Sequence, residues 1–295
     1  MGWGDLRVVK HPPHGNGPVP ETGAPVAFRR WDSSFFQDLF LFLSTEHDLV
    51  YANHLHDSME IMWILAGESE VFYRGRRFML RTGDAVVVAP DEVHAGGARQ
   101  GAPFSFASLH VPRRLVESLI DCDRRGVVPL TFLEDRCAEH LYEQLIGGLP
   151  SAATMSDQAT CLQDALCGLY ARSRSQVAAS TGRADHPAVR RVRTSIAHSE
   201  FAAPDVAAVA QEFGLHPHYL ISLFKDAVGL PPHQYQIAQR IDRARRLLDD
   251  ELSLSSVAST AGFSDQSHFN RFFKRAYAMT PGTYRTQTVP LVAQG

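Results

Sequence analysis

His54 and His56 stand two residues apart, and Glu60 follows four residues later, in "NHLHDSMEIMWILAG", residues 53–67. Imidazole and carboxylate are ligand types for zinc, iron, nickel or manganese. On a β-strand alternate residues share a face, so the two imidazoles point the same way. Downstream, "GDAVVVAPDEVHAGG" sets His94 at the mouth of another predicted strand. The two imidazoles and the carboxylate are three candidate ligands for a divalent metal. The same groups at the mouth of a small barrel can instead bind the hydroxyls or carboxylate of an organic effector, and Glu60 can fix one histidine in a single tautomer. Trp63, on the same run, is either an apolar wall of that pocket or plain core. No second acid–base constellation accompanies the cluster, so no catalytic residue is expected.

The elements that must carry these residues read as β from about 26 to 112. "EIMWILA", "SEVFYRGRRFML", "DAVVVAP" and "FSFASLHV" are short runs rich in Val, Ile and Phe, separated by "AGES", "YRGR", "RTGD" and "PDEVHAGG". Many short strands broken by turn signals predict a sandwich or small barrel. From Pro112 to about Ser175, "RRLVESLIDC", "FLEDRCAEHLYEQLIGGL" and "SDQATCLQDALCGLYARS" have apolar residues at three- and four-residue steps and predict helices. Their apolar stripes would either cover the barrel or form a dimer interface. The expected organisation is a Gly- and Pro-rich arm over 1–25, a sensor domain over 26–174, a linker over 175–187 and an all-α domain over 188–288.

Composition bounds the class. The 295 residues are 44% hydrophobic and 21% charged, as in soluble globular proteins. No apolar run approaches the ~20 residues that cross a bilayer, and the amino terminus lacks the apolar core of a signal peptide, so the expected address is the cytoplasm, with no membrane partner. Cys122, Cys137, Cys161 and Cys167 have no CxxC spacing and are expected to be reduced, buried thiols. Net charge is −3, but residues 1–185 carry 17 basic and 23 acidic side chains against 12 and 9 in residues 186–295. A mildly basic module therefore follows an acidic one.

That basic module repeats itself. Val209-Ala210 with Gly214 matches Val257-Ala258 with Gly262, Phe224-Lys225 matches Phe273-Lys274, and Pro-x-x-Tyr closes both units at Pro232/Tyr235 and Pro281/Tyr284. A short apolar helix, a glycine turn and a second helix is a helix-turn-helix, whose second helix enters a major groove. In the second unit the helix is expected to start at Ser264 or Asp265 and to bury Phe269, Phe272, Phe273 and Ala276. Gln266, Ser267, Asn270, Arg271, Lys274 and Arg275 are then left for base edges and phosphates. In the first unit Pro217, His218, Ile221 and Ser222 take the outward positions, with Lys225 beyond them. Ile221 cannot hydrogen-bond a base, so this helix reads less well. Arg240, Arg243 and Arg246 lie on the connecting helix, whose apolar face is Ile241, Ala244, Leu247 and Leu248.

"GFSDQSHFNRFFKRAYAMTPGTYR" resembles the signature of AraC/XylS-type transcriptional regulators. The likeness extends over about residues 188–288 and, with the amino-terminal module, over nearly the whole chain. It implies two helix-turn-helix units joined by a long helix, with recognition helices near 217–227 and 266–276 in successive major grooves of a double-stranded DNA operator. Ala278 stands where the family more often has glycine. The spacing H-x-H-x3-E-x6-G then G-x6-P-x3-H, on His54, His56, Glu60, Gly67, Gly83, Pro90 and His94, resembles both motifs of the cupin barrel. In metal-binding cupins the three histidines and the glutamate carry the ion. The resemblance implies an α+β chain of two domains: a cupin-like β-barrel with a helical dimerisation segment, then the double helix-turn-helix. It further implies a homodimer, a small-molecule effector and activation beside RNA polymerase. A metal-sensing regulator, to which the arm "KHPPHGNG" also points, and a metal-dependent cupin enzyme with a DNA-binding tail are the alternatives.

Overall fold

The structure is a computed structural model and describes residues 27–48, 50–73, 76–120, 130–133, 135–173, 186–198 and 204–287. The arm, the linker expected over 175–187 save its last two residues, and Cys122 lie outside them. Ten strands form two antiparallel sheets. The larger has β1 (Ala27–Asp32), β2 (Phe40–His47), β9 (Phe104–Pro112), β4 (Ser58–Ala66), β7 (Ala85–Val88) and β10 (Leu130–Leu133) in that order. The smaller has β3 (Val50–His54), β8 (His94–Ala98), β5 (Glu68–Tyr73) and β6 (Arg76–Arg81). Both sheets line one cavity, so the expected cupin-like barrel takes the form of two facing sheets, with no ladder joining them among the described residues.

The larger sheet is covered on both faces, which is why β7 and β9 read as nearly unbroken apolar runs rather than as alternation. Its outer face presents Ile61, Trp63, Val87, Ala107, Leu109 and Val111 to α1 (Arg113–Leu119), α2 (Asp135–Tyr142) and α3 (Met155–Ser173). Its inner face presents Ile64, Val86, Val88, Phe104 and Phe106 to Val71 and Leu80 of the smaller sheet. The helices between 113 and 173 therefore cover the sheet. Within that region Leu130–Leu133 pairs with β7 as a strand, so Phe132 and Leu133 do not open a helix: Leu130, Phe132 and Leu133, with the β-branched Thr131 among them, suit an edge beside an apolar strand better than a helical turn. Cys137, Cys161 and Cys167 are free thiols, and Cys167 is exposed rather than buried.

The carboxy-terminal domain comprises α4 (Pro187–His198), α5 (Val206–Glu212), α6 (Pro217–Val228), α7 (Pro232–Leu247), α8 (Leu254–Thr260), α9 (Gln266–Tyr277) and α10 (Pro281–Gln287). The echo in sequence is an echo in structure. Gly214 and Gly262 take φ of +64° and +87° at the turns, a region closed to most side chains. Asp205 and Ser253 cap α5 and α8, each accepting from a backbone N–H three residues on. The two cores are Val209, Ala210, Leu220, Phe224 and Tyr235 in the first unit, and Val257, Ala258, Phe269, Phe273 and Tyr284 in the second. No described helix is long and apolar enough to cross a membrane.

The two domains pack on each other. Leu55 and Val93 of the barrel are buried in the core of the first unit. Arg30 grips Asp249 through two hydrogen bonds of 2.9 and 3.0 Å, and Arg246 reaches Asp57 at 3.2 Å. The Asp57 N–H donates to Asp242, and the second recognition helix, α9, lies against β3.

Candidate functional site

The motif histidines meet because of strand register. His54 on β3 is paired with His94 on β8, and their rings lie 4.2 Å apart. Glu60 on β4 sits opposite His110 on β9. His56, in the turn between β3 and β4, closes the group, 3.1 Å from Glu60 Oε2, while His94 Nε2 is 3.4 Å from the same oxygen. His110 Nε2 lies 3.6 Å from the other carboxylate oxygen, and its ring stacks on Phe40 at 4.4 Å.

The tautomers follow from the hydrogen bonds. His54 Nδ1 donates to Ala52 O at 2.8 Å, His56 Nδ1 to Ser58 O at 2.8 Å, and His94 Nδ1 to Glu92 O at 3.0 Å. A carbonyl only accepts, so each Nδ1 carries the proton; the neutral His54 ring keeps its lone pair on Nε2, while His56 Nε2 faces the Glu60 carboxylate, which also only accepts, and donates to it when that ring is protonated. One ligand atom from each of the three rings lies within 4.8 Å of the others. Three imidazoles, each held by a backbone carbonyl, with His56 and His94 within 3.4 Å of the Glu60 carboxylate, are of the type that ligates a divalent metal. Burial, together with His94 and His56, lowers the His54 pKa to about 3, so that ring is neutral. Burial alone would raise the Glu60 pKa, but His110, His56 and His94 hold it well below the usual carboxylate value. Burial likewise opposes protonation of His56, and the hydrogen bond and charge of Glu60 outweigh it, raising that pKa.

The cluster forms one wall of a cavity of about 890 Å³, part of it open to solvent. Met62, Val71, Val86, Val88, Phe104 and Phe106 make its apolar wall inside the barrel. The opposite wall belongs to the other domain: Arg245 of α7, Tyr277 at the end of α9, then Met279 and Tyr284. The Tyr277 ring is 6.1 Å from that of His54, and the Arg245 guanidinium lies 5.2 Å above Phe40.

His54, His56, Glu60 and His94 come together as the spacing suggested, whereas Trp63 does not line the cavity. Its parity on β4 is opposite to that of Glu60 and Met62; it is buried against Tyr142 and donates to Ala138 O at 3.0 Å. His110 went unread in the sequence, although it shares the parity of Phe104, Phe106 and Ser108, which also line the cavity. No pattern along the chain signals Arg245, Tyr277, Met279 or Tyr284, because domain docking brings them there.

The helices expected to enter the grooves run Pro217–Val228 and Gln266–Tyr277, and Asp265, not Ser264, caps the second, accepting from His268 N at 2.7 Å. On α6, His218, Ser222 and Lys225 are exposed and Ile221 is half-buried. Tyr219, which the reading of outward positions omitted, is 57% exposed there. On α9, Gln266, Ser267, Arg271, Lys274 and Arg275 are exposed and Phe272 is only half-buried. Asn270 is half-buried, and its Oδ1 is buried without a hydrogen-bond partner among the described residues.

Comparison with known proteins agrees with this architecture. Residues 36–167 match the family model described as AraC-like ligand binding domain, and residues 209–287 match one described as helix-turn-helix domain. The chain is an AraC/XylS-type regulator.

It is 26% identical over 234 residues to the arabinose operon regulatory protein of Escherichia coli strain K12, covering 75% of this chain and 78% of that protein. It is 43% identical over 65 residues to the probable transcriptional regulator LumQ of Photobacterium leiognathi, spanning only 26% of that protein. Among solved structures, an apo form of a ToxT variant from Vibrio cholerae superposes with a TM-score of 0.61 at 13% identity over 86% of this chain and 99% of that one. Unsaturated-fatty-acid-bound wild-type ToxT superposes with a TM-score of 0.58 at 14% identity over 85% and 96% of the two chains. These likenesses show the fold. The two family matches and the arabinose operon relative make the chain a DNA-binding transcriptional regulator with an amino-terminal ligand-binding domain.

Proposed function

We propose that the cavity between the barrel and the second helix-turn-helix unit is the effector site of this regulator, and that the chain acts by binding rather than by catalysis. One observation carries this reading: Arg245, Tyr277, Met279 and Tyr284 share the cavity wall with His54, His56, Glu60 and His94. A molecule bound there touches both domains, so it biases how the DNA-binding domain is held. On DNA, Gln266, Ser267, Asn270 and Arg271 read bases, Lys274 and Lys225 meet phosphate, and His218, Ile221 and Ser222 form the more permissive reader. The regulator works in the cytoplasm as a homodimer and activates beside RNA polymerase. Hydrogen exchange of the full chain during a ligand screen tests the site. A true effector protects Val50–His54 and Tyr277–Tyr284 together, whereas protection confined to the barrel would refute the reading.

A second reading rests on the three converging Nε2 atoms: the ligand domain holds a divalent metal on His54, His56, His94 and Glu60. The residues fit such an ion, because their outer hydrogen bonds already fix the ligating tautomer. When bound, the ion supplies a Lewis-acidic anchor for an oxygen ligand. Metal content of chain purified without chelator, beside a His54→Ala/His56→Ala variant, decides this. Near-stoichiometric metal that the variant loses supports the ion, and its absence from both leaves an organic pocket lined by histidines.

A further inference from the structure

The internal repeat starts one helix earlier than the helix-turn-helix. Val189, Val192 and Ile196 of α4 fill the core of the first unit at the spacing with which Ile241, Ala244 and Leu248, on and just after α7, fill that of the second. Arg193 and Arg245 take the same place within these two runs, and both reach the barrel. Arg193 lies 5.7 Å over the Tyr235 ring and donates to Asp91 O, in the turn between β7 and β8, at 3.3 Å. Arg245 meets an aromatic face of the barrel instead: its guanidinium lies 5.2 Å over Phe40 of β2. We propose that Phe40 is the positioning residue of the second helix-turn-helix unit, giving the buried Arg245 a cation–π seat that fixes α7, and through it α9, against the barrel.

The surroundings of Phe40 suit this role. It is 2% exposed, and its ring is held by a stack on His110 with centroids 4.4 Å apart and planes 13° apart. Arg30 lies over the same ring at 4.4 Å, and its two hydrogen bonds to Asp249 reach the turn that follows α7. One ring therefore carries two guanidiniums, one from each side of the domain contact. The pair that Arg245 makes with Asp242, Nε 3.6 Å from Oδ1, lies within α7 and fastens nothing to the barrel. A guanidinium keeps its charge when buried, and over an aromatic face it is held more strongly out of water than in it. Leucine at position 40 would fill the space and offer no such face, whereas tyrosine would keep it.

The test is hydroxyl-radical footprinting of the full chain. Met279, 8% exposed, reports on the second unit, while Leu55 and Val93, 1% and 2% exposed, report on the first. Phe40→Leu and Arg245→Met should each raise oxidation of Met279 about tenfold, with Leu55 and Val93 modified as slowly as in the wild type. Because either change removes the same contact, the double variant should exceed the larger single effect by little. Phe40→Tyr should return Met279 to the wild-type rate. Affinity for an operator selected from random DNA should shift about threefold or more, in one direction, in both single variants, and return in Phe40→Tyr. Additive single effects, unchanged Met279 oxidation, or a tyrosine variant as exposed as the leucine one would make Phe40 plain packing and overturn the seat. Faster modification of Leu55 and Val93 as well would mean that docking is lost as a whole, and unchanged operator affinity would mean that α9 is not held through Arg245. Either outcome also overturns the proposal.

Discussion

In the first helix-turn-helix unit, Leu55 and Val93 of the barrel are buried among Val189, Val192, Leu220 and Phe224. In the second, the barrel is met by Tyr277, Met279 and Tyr284 around a cavity large enough for a small molecule. The units share turn glycines, helix caps and core positions, yet one contact is filled by apolar side chains and the other has room for a ligand. A filled apolar contact has a fixed strength. A contact across a cavity depends on what fills it, so the second unit is where an effector can act. It also carries the better-equipped recognition helix, with Gln266, Arg271 and Lys274 exposed where the first has His218, Ser222 and Lys225.

The largest expected effect breaks the apolar side. Leu55 is 1% exposed, and Leu55→Ala should cost about 2–5 kcal/mol in urea unfolding of the full chain, with the first unit separating from the barrel on limited proteolysis. A loss under ~1 kcal/mol would mean that the first unit is no firmer than the second. On DNA the asymmetry runs the other way. Arg271→Ala should lose roughly 1–3 kcal/mol on an operator selected from random DNA and relax one base pair, while Ser222→Ala should lose less. Saturation mutagenesis of that operator showing equal information in both half-elements would remove the distinction.

How much of this was legible depends on the range of the interaction. The helices Pro217–Val228 and Gln266–Tyr277 were readable because period, cap and glycine turn are local, and Asp265 announces its helix within one turn. That His54 and His94 meet was legible through the resemblance to the two cupin motifs, not through any local period. Trp63 was decidable by parity alone, being odd where Glu60 and Met62 are even. His110 hid inside "FSFASLHV", where a strand buried on both faces blurs the alternation that would have marked it. Phe132 and Leu133 passed for the start of a helix because the strand Leu130–Leu133 is too short to show a period. Arg245 and Tyr277 were beyond reach, as nothing near them in sequence encodes the docking of two domains.

The carboxy-terminal ends of the two recognition helices sharpen the comparison further. α6 ends on Gly229 with φ of +95°, whereas α9 ends on Ala278 with φ of +57°. A left-handed alanine costs about 1 kcal/mol that glycine avoids. Ala278→Gly should therefore raise stability by up to ~1 kcal/mol in thermal unfolding. Gly229→Ala should lower it by a similar amount, its added methyl also meeting Val93 at 3.6 Å. A gain at Ala278 accompanied by weaker effector binding would show that the strained turn sets Tyr277 and Met279 in the cavity wall.

The smallest expected effect concerns the ionic contacts around the second unit. Arg246 pairs with Asp57 at 3.2 Å and with Asp242 at 3.4 Å, but Arg246 and Asp57 are 38% and 40% exposed. The exposed Arg246–Asp57 pair contributes less than ~1 kcal/mol, and less again as salt rises, while the buried Asp242 keeps Arg245 at 3.6 Å when Arg246 is removed. Arg246→Ala should leave unfolding within ~1 kcal/mol of the wild type and shift it less in 0.5 M salt, where screening already weakens the pair. A loss as large as that of Leu55→Ala would mean that the second unit is latched by charge, and the cavity would then be a consequence of docking rather than its control point.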